Sequence, residues 1–352
     1  MRRLHTVLPA LCGMALGLTL SSTILASPES TEAASFKDLP NVTLRFGTNA
    51  PAKSPSGRAA EKLATIVKEK TNGKFTIKVY PANQLGTNRG LVEQTALGGL
   101  DMSMEGIGIL GYIDPAYSLL QVPFLFKNQE AIHKVLNDDV GTRIAENLLE
   151  SRNIRLLSQT WDRLPRQICS ATPIRTPEDL NNVLIRTGSE GATQAFELFG
   201  AKPASVPLKG VYLALQNNVV SAVDLPTDYF FNLSLYEVCD NLDLVNHTYG
   251  TQFVAINNAV YKSLPAAYQK ILKSSVAEAG NYNNLLTKKL EDDYISRLKK
   301  KGMGIIRLSQ EQHDAFSEVV HNNIESIEST WPEADGLAKK IFSIQENMQL
   351  SI

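Results

Sequence analysis

From Ser263 to Lys301 the chain carries a helical pattern with no strong breaker, and this segment restricts the fold more than any other. Ser263 stands as a cap and Pro265 opens the first turn. Tyr268, Ile271, Leu272, Ser275, Ala279, Tyr282, Leu286, Leu290 and Leu298 fall on one broad apolar stripe. About 35 residues rising about 1.5 Å each span on the order of 50 Å. One lobe of a small protein does not need that length. Either the segment crosses a junction between two lobes, or it breaks into two helices near Gly280-Asn281.

The rest of the chain alternates strand and helix patterns. Asn41–Gly47 alternates polar and apolar, 56–70 has helical spacing closed by Asn72-Gly73, and Lys74–Tyr80 alternates again. A helix over 88–97 and a strand over 101–109 follow. This order implies an α/β lobe with a largely parallel sheet. A second cycle begins with strands at 155–161 and 166–170. It continues with Thr176-Pro177 opening a short helix, a strand at 183–186, a helix over 190–199 ended by Gly200, a helix over 211–216, and strands at 222–224 and 251–256. A length of 352 residues fits two domains, because single cores stop growing at roughly 250–300 residues.

The N-terminus begins Met1-Arg2-Arg3, continues with a short apolar run over 7–20, and leaves through Ser21, Ser22 and Thr23 to Ala26. That is the pattern of a secretory signal peptide, 1–26, followed by a polar leader over 27–39. Cys12 lies inside the apolar run, where lipidation does not occur. Losing Arg2 and Arg3 and no acid carries the net charge from −1 to −3. With 35 basic against 36 acidic residues there is no excess for coating a nucleic acid or an anionic membrane. Export exposes Cys169 and Cys239 to oxidising conditions. They either pair or pack as buried thiols.

Chemistry-bearing motifs are scarce. Gly106-Ile-Gly-Ile-Leu-Gly111 matches G-x-G-x-x-G, but Asp114-Pro115 follows where a dinucleotide site needs a helix, so it reads as a flexible glycine-rich loop. His133, His247, His313 and His321 lack partners at metal-ligand spacing. No catalytic residue, metal or cofactor is expected. Two arginines stand in apolar strands: Arg186 after Val183-Leu-Ile, and Arg166 before Gln-Ile-Cys. A guanidinium there needs an anion. Either an internal carboxylate supplies it, Asp162 or Asp179 being the candidates, or the anion arrives from outside.

Taken in order, these residues resemble the periplasmic solute receptors of TRAP transporters. The likeness runs over about 41–305, through Leu44-Arg-Phe-Gly-Thr-Asn49, Val79-Tyr-Pro81, Gln84-Leu-Gly86, Pro123-Phe-Leu-Phe126, Arg166-Gln167, Thr176-Pro-Glu-Asp-Leu180, Ile185-Arg186, Val211-Tyr-x-Ala-Leu-Gln216 and Ser263-Leu-Pro265. The resemblance implies an α/β, two-lobed periplasmic binding protein fold. Each lobe is a mixed sheet flanked by helices, and the long helix spans both. Lobe I would hold 40–163 plus about 252–290, and lobe II 164–251 plus about 291–345. It implies that Arg186 grips a ligand carboxylate, with Arg166 as second arginine and Asn49, Glu105, Trp161 and Asp224 in cleft-facing segments. It also implies a monomer in the periplasm that serves a small and a large membrane subunit. An ABC importer or a sensor system is the alternative assembly.

Departures from the family pattern bear on the ligand. Val220-Ser-Ala-Val-Asp-Leu-Pro226 has Leu225 at a polar position, Leu208 replaces an aromatic, and Tyr229-Phe230-Phe231 follow. The stretch Trp161-Asp-Arg-Leu-Pro165 is one residue longer than usual. These changes disfavour a polyhydroxylated acid such as a sialic acid. They fit a hydroxy or keto monocarboxylate, an aromatic acid, or a small sulfonate.

Overall fold

In this computed structural model, which describes residues 36–349, the segment Ala266–Lys300 is one unbroken 35-residue helix. It does not break at Gly280. A Cβ there would lie 2.6 Å from Trp161 Nε1, so the glycine is kept for close approach of the indole. Ser263 does not cap this helix. It ends a separate short helix, Asn258–Ser263, and its hydroxyl donates back to the Val260 carbonyl. Leu264 and Pro265 are extended, because a residue before proline is pushed out of the helical region.

Two sheets frame the molecule. The first has the order β2-β1-β3-β10-β4 and is built from β1 (Val42–Thr48), β2 (Phe75–Tyr80), β3 (Met102–Gly106), β4 (Ile154–Asp162) and β10 (Thr251–Asn257). The second has the order β11-β9-β5-β8-β6-β7. Its strands are β5 (Arg166–Ser170), β6 (Leu184–Thr187), β7 (Lys202–Ser205), β8 (Ala222–Pro226), β9 (Asn241–Thr248) and β11 (Gly304–Arg307). Both sheets are mixed rather than largely parallel. β1 runs parallel to β2 and β3, but β10 runs antiparallel to both its neighbours. β5 is antiparallel to β8 and β9, while β6 is parallel to β7 and β8. The antiparallel strands are those reached by crossing from the other sheet, which reverses their direction.

The chain passes between sheets at Arg163-Leu164-Pro165, after β4, and at Tyr249-Gly250, after β9. The two passages are bonded together, since the Arg163 N–H donates to the Gly250 carbonyl at 3.1 Å. The long helix makes a third link. Its residues Tyr268, Leu272, Val276 and Ala279 belong to a core with Phe46, Leu63 and Phe75 under the first sheet. Ile295 and Leu298 belong to a different core, with Val223, Phe230 and Leu242 under the second. One helix therefore serves two cores, as its length requires. Asn283, Asn284 and Thr287 on its flank bond the backbone of Thr160 and Asp162, which ties it to the first passage. At the C-terminal end, the helices Gln310–His321 and Ile324–Glu328 pack on Glu190–Leu198, whereas Leu337–Gln349 packs on Gln129–Leu136.

Cys169 on β5 and Cys239, just before β9, are joined by a disulfide with Cα atoms 6.2 Å apart and 70 residues between them in sequence. Both sulfurs lie in the second core. Replacing both cysteines by alanine is expected to cost about 2–4 kcal/mol, read by urea denaturation. A loss under about 0.5 kcal/mol, the range of a neutral surface change, would show that the bond adds nothing to the packing. The signal segment 1–26, Cys12 and the leader up to residue 35 lie outside the described residues.

Candidate functional site

Arg186 is the third residue of β6, a strand flanked by β7 and β8, and only 6% of it is exposed. Its Nε donates to the Val206 carbonyl at 2.9 Å. Among the described residues no carboxylate lies within ion-pair distance of it. Burial, and next the Arg166 guanidinium nearby, lower its pKa to about 10, so it stays charged at neutral pH.

Arg166 is the first residue of β5 and is paired from within. Its Nε and Nη2 donate to the two carboxylate oxygens of Asp224 at 2.7 and 2.6 Å, and Nη2 also reaches the Asp224 carbonyl at 2.8 Å. The pairing follows from sheet register. Ile168 faces Asp224 across the antiparallel pair, which sets Arg166 and Asp224 two positions apart on one face. His247 on β9 adds a third bond to Asp224, at 2.9 Å. Burial alone would raise the Asp224 carboxyl. The Arg166 charge and His247 override it and hold the group below the usual carboxylate range. The internal partner is thus Asp224. Asp162 pairs with His133 at 2.5 Å, and Asp179 caps the backbone of Arg175 and Thr176.

Gly188 marks where the two guanidinium groups meet. A Cβ there would be 3.1 Å from Arg186 Nη1 and 3.3 Å from Arg166 Nη2. Around this point lies an inner pocket of about 30 Å³, lined by Arg163, Arg166 and Arg186 with Asn49, Gln121 and Tyr229. It adjoins a chamber of about 650 Å³, which Asn88, Ile109, Arg186, Gly188, Ser189 and Leu208 also line. The chamber is the size of a small-molecule site, while the inner pocket has room for little more than one water or one head group.

The remaining expected residues divide. Asn49 lines the inner pocket, and its Oδ1 accepts from the Tyr229 hydroxyl at 3.3 Å, a bond from one sheet's side of the cleft to the other. Glu105 sits behind it, fully buried, with Oε1 accepting the Asn49 N–H at 2.8 Å and Oε2 without a partner. Burial pushes its carboxyl well above the usual range, which the Asn49 bond and the Arg163 charge offset only in part. Trp161 does not belong here. It lines neither cavity and lies in the first core against Gly280, because its strand position turns the indole toward the long helix.

Sequence reasoning missed Arg163, which stands alone in a passage between strands with no periodicity to point at it. It also mistook the glycine segment. Residues 107–112 form a 3₁₀ turn, buried over 107–110, rather than a flexible loop, and the expected strand ends at Gly106. A Cβ at Gly106 would be 2.2 Å from Arg163 Nη1, and one at Gly108 would be 1.7 Å from Gln121 Cγ. These glycines let two pocket side chains lie flat on the backbone. Leu208, Leu225 and Tyr229, the departures noted in sequence, all line the inner pocket.

The profile of the bacterial extracellular solute-binding protein family 7 matches residues 46–330, most of the chain. This protein belongs to that family. It is 30% identical over 306 residues to the 2,3-diketo-L-gulonate-binding periplasmic protein of Escherichia coli K12, covering 86% of this chain and 92% of the relative. It is 28% identical over 320 residues to the C4-dicarboxylate-binding periplasmic protein of Rhodobacter capsulatus, covering 89% and 91%. In fold it is similar to the TRAP periplasmic solute binding protein of Sulfurospirillum deleyianum DSM 6946 with bound succinate. The TM-score is 0.81 at 24% identity, covering 87% of this chain and 100% of the other. Family members are solute-binding proteins, and both curated relatives are periplasmic by name.

Proposed function

We propose that this chain is the extracytoplasmic receptor of a TRAP transporter and captures a small organic anion in the cleft between its two sheets. One observation carries the reading: Arg186 is a buried, charged guanidinium with no carboxylate in ion-pair range among the described residues, at the join of an inner pocket and a ligand-sized chamber. A buried charge of this kind is costly without an anion. A ligand carboxylate supplies it and accepts two parallel hydrogen bonds from the planar fork. Arg166, whose charge Asp224 already balances, orients the second face of the head group.

The ligands named for the two relatives and the similar structure are all carboxylates, which supports the class. Leu208, Leu225 and Tyr229 in the wall favour a hydroxy or keto carboxylate, or a small sulfonate such as isethionate, over a polyol acid. Binding draws lobe I (40–163, 252–290) and lobe II (164–251, 291–345) together by population shift. The closed form then delivers the ligand to a small and a large membrane subunit driven by an ion gradient. The receptor acts as a periplasmic monomer exported through residues 1–26.

A thermal-shift screen of the mature chain across carboxylates and sulfonates tests this. A true ligand at about 100 times its Kd adds about 2.7 kcal/mol to native stability and raises the melting temperature. No rise with any member of either class would overturn the reading. Genes for two membrane subunits without an ATPase beside this one support the TRAP reading, and an ATPase gene there points to an ABC importer.

A further inference from the structure

Arg163 is the first residue after β4, in the first passage between sheets. Its side chain turns into the inner pocket. The guanidinium lies flat on the backbone of Gly106 at the end of β3, and its Cζ is 5.5 Å from the centre of the Tyr229 ring on the opposite side of the cleft. None of the ion pairs among the described residues uses it, in contrast to Arg166.

The charges around the pocket nearly balance. Three guanidinium groups face it or each other. Asp224 is held ionised by Arg166 and His247, whereas burial disfavours the charged form of Glu105. Asp228, in a small cavity that Arg163 also lines, is pushed up to about 6 by burial, with Arg163 pulling the other way, so it is ionised at neutral pH. The remainder is one positive charge, which a single carboxylate neutralises. Arg186 provides for that carboxylate. Arg163, with Asp228 as counter-charge and one bond to the Tyr229 side chain, keeps further N–H donors for a neutral oxygen. The inner pocket of about 30 Å³ limits that oxygen to the head of the ligand, adjacent to the carboxylate, while the body occupies the chamber.

We propose, resting on the receptor reading above, that Arg163 is a specificity-determining residue. It donates to a neutral oxygen on the carbon next to the ligand carboxylate, so the site selects 2-oxo or 2-hydroxy monocarboxylates over unsubstituted acids and dicarboxylates. The test is calorimetry on the mature chain with matched acids of three to six carbons, for instance 2-oxobutyrate, 2-hydroxybutyrate, butyrate and succinate. The wild type binds the 2-oxygenated member of a pair about ten-fold or more tightly than the plain acid, the effect of one charge-assisted hydrogen bond. In Arg163→Gln that ratio falls to near one, while the loss of one positive charge weakens both acids of a pair together. Gly106→Ala retains Arg163 but puts a methyl where Nη1 lies, and the same ratio collapses; this variant decides the matter if Arg163→Gln melts early. An unchanged ratio in both variants, or a wild type that prefers butyrate or succinate, overturns the role of Arg163 and leaves the receptor reading standing. Failure to bind any acid of the series overturns the role of Arg163, and the wider screen of carboxylates and sulfonates above then decides the receptor reading separately.

Discussion

Arg186→Met weakens ligand binding by about 30-fold or more and raises the melting temperature of the ligand-free protein. The two effects have one cause. The guanidinium is buried, and burial lowers its pKa to about 10, so the folded chain holds a charge it would shed more readily than a free arginine. Methionine has similar length and no charge, and removes a penalty on the order of 1–3 kcal/mol. Binding moves the opposite way. A micromolar ligand has about 8 kcal/mol of binding free energy, and losing one partner of a buried charge pair costs about 2–5 kcal/mol. Affinity then falls about 30-fold to several thousand-fold. Calorimetry with an acid found in the thermal screen, beside a melt of the ligand-free variant, reads both. Near-native affinity would defeat the assignment of Arg186 to the ligand. Lost affinity with a lowered melting temperature would instead mark it as a structural residue.

Asp224→Asn has the largest expected cost to stability. The wild-type carboxylate accepts two bonds from Arg166 and one from His247 with no exposure to water. The amide cannot accept on both sides, and Arg166 is left charged and buried, at a cost of about 3–5 kcal/mol. Replacing both members, Arg166→Met with Asp224→Leu, recovers most of that loss, because no lone charge remains. The variant also changes the acid limb of stability. The Asp224 pKa is lowered in the fold, so its contribution is complete above about pH 4, the unfolded value, and is lost as pH falls toward the folded one. Asp228 and Asp243, both pushed up to about 6 by burial, have the opposite sign, and their contribution is lost as pH rises from about 4 to 6. Urea midpoints from pH 3 to 7 separate the two. The difference between wild type and Asp224→Asn shrinks below about pH 4. A constant difference across that range would show that the Asp224 charge is not what holds Arg166.

Much of the fold was legible because its signals are local. The 3.6-residue stripe over 268–298 and the alternation at β1 and β2 are properties of neighbouring residues, and capping by Thr176 and Asp179 is decided within one turn. The boundaries failed where tertiary contact decides. Ser263 has the chemistry of a cap, but Pro265 dictates where the long helix can begin. The glycines at 106, 108 and 111 looked like freedom and are close packing, since what they accommodate is Arg163, Gln121 and Ser118, distant in sequence or turned back on the chain.

At the site, the sequence alone determined that a charged residue in an apolar strand needs an anion, and that Arg166 and Arg186 were such residues. It could not distribute the anions. Strand order and register brought Asp224 to Arg166 and left Arg186 facing a cavity, because β5 and β8 are neighbours and β6 presents its arginine beyond them. Nor could it find Arg163, whose position depends on where the chain passes between sheets. The identity of each buried charge was written in the residues. Which charge is paired from within and which awaits a ligand is a matter of distance, and at these burials a few ångströms decide the balance between Coulomb attraction and lost hydration.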